Sequence, residues 1–318
     1  MLRHTIERHT SPDATPGLPF FQAGFFFNEP AHLAQQHPGP CHLLTVVNQT
    51  TQQIVARCAF FAQNESALSP IAAPFGSVEF SNTLPDDVLL TFVNQLFADA
   101  KHAGCQTLML IHYPHCYAPT QTDRLLTVLL ASGCSVTESH PTYYLPVTSQ
   151  PFIDGITAPE RRRLQKCQRA GFRFSHWQQP DPAIVLGFLD TTYAQLDYQL
   201  SLPPERLVHL LATFPDQFPV FTLHDDQRLI ALTVIVRVRH DILYNFLPAS
   251  LPTYHAFSPM VMLLDGVYAY CQRKRVQLLD LGMALDSARQ PKASLARFKR
   301  NLGAQESPKY VFRKAIQA

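Results

Sequence analysis

The chain has 318 residues, 46% of them hydrophobic, and a net charge of +2, which is enough for two domains of ordinary size, each with its own core. No apolar run approaches the roughly 20 residues needed to cross a bilayer, and Met1–Pro19 lacks the apolar centre of a signal peptide; a membrane span is excluded and a cytoplasmic protein is expected. The seven cysteines form no CxxC and mostly lie in apolar segments, which suits reduced core thiols better than disulfides or zinc.

Met1–Pro19 reads as an irregular leader, and Phe20–Phe27 is apolar enough to dock on a domain. His42–Asn48 and Gln53–Ala62 read as strands joined by a polar turn, with Pro74–Phe80 a shorter third. Asp86 and Asp87 suit a helix N-terminus, and Val88–Ala103 keeps apolar residues at three- and four-residue spacing until Gly104 stops it. Thr107–Ile111 is a buried strand, Thr122–Ala131 a helix and Val136–Val147 the closing strands. Ser149–Pro159 has two prolines, a glycine and no periodicity, which sets a domain boundary there and gives domains 1–150 and 151–318.

Glu160–Ala170 follows as a basic helix closed by Gly171, and Pro182–Leu200 and Pro204–Thr213 are further helices. Phe218–Leu223, Leu229–Val238 and Ile242–Leu247 form an antiparallel meander with tight polar turns. Met260–Arg273 is helical in its apolar spacing, Val276–Leu281 is a short buried strand, and Lys292–Leu302 is a second helix. Val88–Ile111 matches Met260–Leu281 in plan, and Gln53-Ile54-Val55-Ala56 matches Arg228-Leu229-Ile230-Ala231, so the halves read as an internal repeat. Their charges differ: residues 1–150 hold 5 Lys/Arg and 10 Asp/Glu, 5 − 10 = −5, whereas 151–318 hold 21 and 14, 21 − 14 = +7. The second half is the one suited to a polyanion.

Meander, helix, strand, helix is an order that resembles the GCN5-related acyltransferase (GNAT) fold. Asp280-Leu281-Gly282 followed by Phe298-Lys299-Arg300-Asn301-Leu302-Gly303 resembles the ending of the GNAT-like transferases that include the Fem peptidoglycan-bridge aminoacyltransferases and their acyl-CoA-dependent relatives. Glu160–Gly171 resembles the basic helix that opens the second half of those proteins. The likeness covers Glu160 to about Tyr310 and extends to the first half by architecture. It implies an α/β (α+β) fold of two tandem GNAT-like modules, each a mixed, mostly antiparallel sheet flanked by helices. It also implies an N-acyltransferase moving an acyl or aminoacyl group from a carrier, acyl-CoA first and aminoacyl-tRNA second, to an amine on a small molecule or cell-wall precursor. A GNAT-derived binding or scaffold protein without catalysis is the other class.

By that resemblance the carrier lies where the fourth strand splays from the fifth and the next helix begins, which maps to Phe246, Leu247 and Ala249 and to Ser258 and Met260. Pro248–Met260 contains no glycine; simple acetyltransferases have a glycine-bearing pyrophosphate loop there, because glycine lets backbone N–H groups approach phosphate closely. The difference favours the Fem-like group and leaves the donor open. The family motif implies that Lys299 sets a cation near the acyl carbonyl or a phosphate, so that Lys299→Ala should cut transfer without unfolding the protein. Asp280 ends a buried strand, where a carboxylate must find a partner or stay protonated: it binds the incoming amine, caps the next helix or pairs with an arginine. Tyr244 and Tyr254 flank the site, and either hydroxyl could protonate a leaving group, with Tyr254 the catalytic candidate. Arg162 and Lys166 share a helix face suited to a substrate phosphate or RNA, against a solvated face otherwise. His112-Tyr113-Pro114-His115-Cys116 lacks a third ligand nearby and reads as a loop, so no metal is expected. No G-x-S-x-G, P-loop or dinucleotide fingerprint occurs, so hydrolase, triphosphatase and dehydrogenase readings have no support.

Overall fold

The computed structural model describes residues 3–11, 17–195, 200–286 and 288–316. The chain forms two compact units, Met1–His140 with Ser307–Ala318, and Pro141–Glu306.

The first unit opens with β1 (His4–His9), antiparallel to β2 (Cys41–Asn48) from His4↔Asn48 to His9↔Leu43. A strand thus replaces part of the expected irregular leader, whose residues 12–16 lie outside the described ones. Only Ile6 of this strand rests on the core, so its sequence shows no apolar alternation. After the short helix α1 (Pro30–Leu33), β3 (Gln53–Gln63) returns beside β2, and β4 (Ser66–Ser69) folds back on β3. Of the expected strand Pro74–Phe80 only β5 (Glu79–Phe80) is extended and paired, again with β3. Ser66–Ser69, too short and polar to read from sequence, completes the meander instead. Helix α2 (Asp86–His102) buries Leu89, Phe92, Val93, Leu96 and Ala100 against the sheet, and leads to β6 (Thr107–Ile111), parallel to β4. Helix α3 (Pro119–Ala131) and β7 (Ser135–Pro146) follow.

In the second unit the C-terminal residues of β7 form one edge of the sheet. The chain continues through α4 (Phe152–Gly155), α5 (Ala158–Arg169), β8 (Arg173–Trp177), α6 (Pro182–Ala194) and α7 (Pro204–Thr213). Then come β9 (Val220–Asp225), β10 (Arg228–Arg239), β11 (Ile242–Ser250), α8 (Pro259–Arg273), β12 (Leu278–Met283) and α9 (Ala293–Asn301). The strand order is β7-β12-β11-β10-β9-β8, with only the β11–β12 pair parallel. The helix expected over Pro182–Leu200 ends at Ala194, and residues 196–199 lie outside the described ones. Helix α8 buries Val261, Leu263, Leu264, Val267 and Cys271 in a core shared with Phe221, Ile235 and Leu243, each side chain contributing about 1.5–3 kcal/mol. Gly266 faces Phe174 so closely that a Cβ there would stand 2.3 Å from its ring.

The last strand, β13 (Gln305–Ala315), pairs antiparallel with β6 from Val311↔Ile111 to Ala315↔Thr107, which is why residues 307–318 belong to the first unit. The expected boundary at Ser149–Pro159 lies inside the second unit. Leu145 and Pro146 pair with β12, and Gln272 on α8 donates to the Thr148 and Gln150 carbonyls, 2.8 Å each. The two units repeat one plan: three antiparallel strands, a helix, then a strand parallel to the third. They are tandem α/β modules, each a mixed sheet flanked by helices.

Candidate functional site

In the second unit, β11 and β12 run side by side only from Ile242↔Leu278 to Tyr244↔Asp280, although β11 continues to Ser250 and β12 to Met283. The register of β11 against β10 steps from Asn245↔Ile235 to Leu247↔Val234, so Phe246 is an extra residue that the ladder skips. A bulge bends its strand and tightens the twist, and here it swings β11 away from β12. Pro248, next in line, has no N–H to extend a ladder; its carbonyl instead accepts from the Tyr193 hydroxyl at 3.3 Å.

The divergence opens a cavity of about 400 Å³. Phe246 and Ala249 from β11, Met260 and Leu264 from α8, and Leu295 and Phe298 from α9 make it mostly apolar, while Tyr193, Tyr244 and Lys299 bring polar groups to its wall. Burial, with the nearby Asp280 carboxylate second, raises the Tyr244 hydroxyl well above its usual pKa, so it remains a donor throughout the neutral range.

Three of the five expected carrier residues, Phe246, Ala249 and Met260, line this cavity. Leu247 does not: it is 2% exposed, buried within the fold. Ser258 does not either; it sits in the left-handed region at φ 55° and closes the loop before α8. That loop turns its amides on itself. Tyr254, His255, Phe257, Ser258 and Val261 each donate to a carbonyl three residues back, at 2.9–3.0 Å, and Pro252 and Pro259 have no N–H. The apolar crevice fits a slender acyl-bearing arm. Five of its amides are thus engaged, and the loop lacks the glycine-lined cradle in which free amides converge on a pyrophosphate from one side.

Lys299 lies at the cavity wall but is 7% exposed. Its ammonium donates to the carbonyls of Leu281, Gly282 and Met283 at 2.7, 3.0 and 2.7 Å. An ammonium has three protons, and all are engaged in holding the end of β12. In this position the ammonium clamps the end of β12. Burial pushes its pKa down to about 8, with Asp280 pulling the other way.

Asp280 accepts from the Thr142 hydroxyl at 3.1 Å and the Gly282 amide at 2.6 Å. Gly282 is at φ +73°, and the register against β7 steps between Asp280↔Tyr144 and Gly282↔Tyr143 while the strand continues to Met283, so the Asp280-Leu281-Gly282 motif is a bulge braced by its own carboxylate. Its carboxylate braces this bulge within the strand.

Tyr254 is not in the cavity. A 3-10 turn, Pro252–Tyr254, directs its hydroxyl to Asp225, 2.8 Å away, so it acts as a tether between the loop and the β9–β10 turn. Lys166 donates to the Ala256 carbonyl at 2.8 Å and stands 4.5 Å over the Phe257 ring, steadying the same loop. Arg162 is exposed on α5 and does not line the cavity. Sequence reasoning missed Tyr193, which the end of α6 brings to the wall; proline in a strand, at Pro248, was the one local signal of the bulge.

The corresponding crevice of the first unit, beyond the last β4–β6 pair Ser69↔Leu110, is closed. The Gly76 amide donates to the Ile111 carbonyl and the Ser77 amide to the Ser69 hydroxyl, 3.0 Å each. Phe25, Phe27, Phe75, Tyr113 and Tyr117 fill the adjacent space ring against ring. His112 is fully buried between the Ser77 and Thr122 hydroxyls at 3.0 and 3.1 Å. Among the described residues no group of three or more His, Cys, Asp or Glu is placed to hold a metal ion, and no helix is long and apolar enough to cross a membrane.

Residues 160–300 match the family described as Acetyltransferase (GNAT) domain. A comparison with curated proteins finds no match. Among solved structures the chain is similar to FemX, with TM-score 0.65 and 9% identity over 86% of this chain and 87% of the other. It is similar to the C-terminal domain of a putative lysylphosphatidylglycerol synthetase from Agrobacterium fabrum, with TM-score 0.56 and 14% identity over 83% and 82%. A tandem GNAT protein from the clavulanic acid biosynthesis pathway gives TM-score 0.53 and 10% identity over 87% and 83%. At these identities the likeness is one of fold.

Proposed function

From a chain that has the GNAT/Fem-like acyltransferase fold in two tandem modules, we propose that the second module transfers an acyl group from a carrier to an amine, with acyl-CoA the donor and an amine-bearing small molecule or cell-wall precursor the acceptor. The observation that carries this is the early end of the β11–β12 pairing at Tyr244↔Asp280 and the cavity that opens beyond it. Acyl transfer asks the protein to hold the two reactants in line and to offer donors to the tetrahedral oxyanion. The skipped residue Phe246 puts a backbone amide at the mouth of the divergence, outside the β10 ladder. The Tyr244 hydroxyl, held protonated by burial, is the proton donor for the departing carrier atom. Phe246, Ala249, Met260 and Phe298 exclude water from the reacting atoms. In this reading Lys299 and Asp280 are positioning residues that fix the end of β12.

A second donor, aminoacyl-tRNA, is favoured by one observation: the glycine-free loop before α8 engages five of its amides with its own carbonyls, which weakens the usual seat for the pyrophosphate of coenzyme A. The lysylphosphatidylglycerol synthetase and FemX neighbours are the reason to test that donor.

The experiment is thermal unfolding of the protein with acetyl-CoA and longer acyl-CoAs, followed by transfer assays on amine acceptors. A donor at a hundredfold its dissociation constant adds about 2.7 kcal/mol of stability. Ala249→Phe, which fills the crevice, should abolish the shift. Transfer from aminoacyl-tRNA with no acyl-CoA shift selects the second donor. If neither donor binds, the transferase reading is wrong and a GNAT-derived binding or scaffold protein is left.

A further inference from the structure

The second unit holds another cavity, of about 630 Å³, which the acyl site does not use; His176, Asp216, Arg237, Tyr270, Arg273 and Lys274 lie in its wall. Arg273 and Lys274 end α8, whereas Met260 of the acyl cavity begins it, so the two sites are about 20 Å apart along that helix.

Arg237 is the residue that needs an explanation. It sits near the end of β10, between Val236 and Val238, which are 0% and 1% exposed, and is itself half-buried. A guanidinium has five N–H donors, and the one side-chain bond it makes goes to the Tyr270 hydroxyl at 3.0 Å. Among the described residues no carboxylate lies within ion-pair distance of Arg237, Arg273 or Lys274. Taking a charge partly out of water without a counter-charge is unfavourable, and a strand position offers no compensation. Arg273 and Lys274 complement the negative end of α8, which accounts for their charge but not for that of Arg237.

Three cations from a strand and a helix end therefore face one hollow, against a single exposed carboxylate, Asp216, giving 3 − 1 = +2. His176 adds a ring held against Phe221 at 4.8 Å and Tyr270 at 5.2 Å. Burial lowers its pKa, and Lys274 and Arg237 lower it further. It thus enters the wall as a neutral donor and acceptor rather than a fourth cation. Convergence of separate cations with a neutral imidazole and a tyrosine suits a tetrahedral, multiply charged anion better than a planar carboxylate, for which one arginine fork is enough.

We propose that this cavity is a binding site for a phosphate group, free or at the end of a small organic molecule, distinct from the acyl cavity. The test is titration of the full chain by calorimetry and thermal unfolding with inorganic phosphate, glycerol phosphate and adenosine monophosphate, at ionic strength matched with sodium chloride. Saturable binding that chloride does not reproduce is expected. Tighter binding of either ester identifies an organic phosphate, and equal binding a free anion. Arg237→Gln should weaken binding roughly tenfold or more. Because a strand substitution can disturb the fold, the exposed pair Arg273→Ser with Lys274→Ser provides a second variant, with the same expected loss of binding and a cooperative unfolding transition retained. Ala249→Phe should leave phosphate binding intact, so failure of the acyl-transfer reading and failure of this one are distinguishable. Absence of binding beyond the chloride control, or binding that survives both sets of substitutions, overturns the proposal.

Discussion

At the scale of single residues the structure redistributes roles that motif and position suggest. The local motif singles out Lys299, but its acceptors are three carbonyls that converge only once the bulge at Gly282 has formed. Lys299→Ala should therefore destabilise the protein by about 3 kcal/mol, since buried carbonyls left without donors each cost on the order of 1 kcal/mol or more. Chemical denaturation beside a transfer assay checks this, and a loss of activity without loss of stability would return Lys299 to the chemistry. His112 provides a pH test. Burial lowers its pKa from 6.5 to about 3, so between those values the unfolded chain binds a proton that the folded chain refuses. Stability from this group is complete above pH 6.5 and falls as the pH drops toward 3, at a limiting slope of about 1.4 kcal/mol per pH unit. Denaturation midpoints from pH 7 to 4.5 should show that fall, and His112→Gln should flatten it. Tyr254, by contrast, was placed beside the site by sequence adjacency alone, and a single 3-10 turn is enough to aim it at Asp225.

At the scale of elements, the longer helices and the central strands of both units were legible because burial on one face leaves a period in the sequence, whereas the four-residue helices α1 and α4 are too short to show one. The elements that were not legible, β1, β4, β8 and β13, are short or polar or, like β13 at Pro308, interrupted in a way that demotes a strand. The decisive feature of the site, the one-residue step in register at Phe246, leaves no periodic trace, because a bulge is defined by the partner strand. The packing of α8 yields its own expectation. In an isolated helix Gly266→Ala would gain about 1 kcal/mol. Here the new methyl group would stand 2.3 Å from the Phe174 ring, itself stacked on Phe221, and overpacking of this kind costs about 1–3 kcal/mol. The variant should be less stable than the parent by roughly 1 kcal/mol in thermal unfolding; a rise in melting temperature would show that β8 yields easily.

At the scale of the molecule, the repeat could be seen in the sequence as two matching runs, whereas the return of the last strand to the first unit could not. A boundary read from composition assumes that each half is self-sufficient, and β13 breaks that assumption by completing the first unit from the far end of the sequence. Phe312, 1% exposed, carries its side chain into the first unit's core. Expressing residues 1–150 alone should give an aggregating product with β6 left as an open edge, and a chain stopped after Ala304 should show early proteolysis confined to its first 140 residues. A soluble, cooperatively unfolding 1–150 fragment would contradict this. Because the finishing strand is encoded some two hundred positions after the strand it pairs with, the portion that leaves the ribosome first cannot mature first. It must wait, with an unfinished sheet, until β13 has been made and can close it.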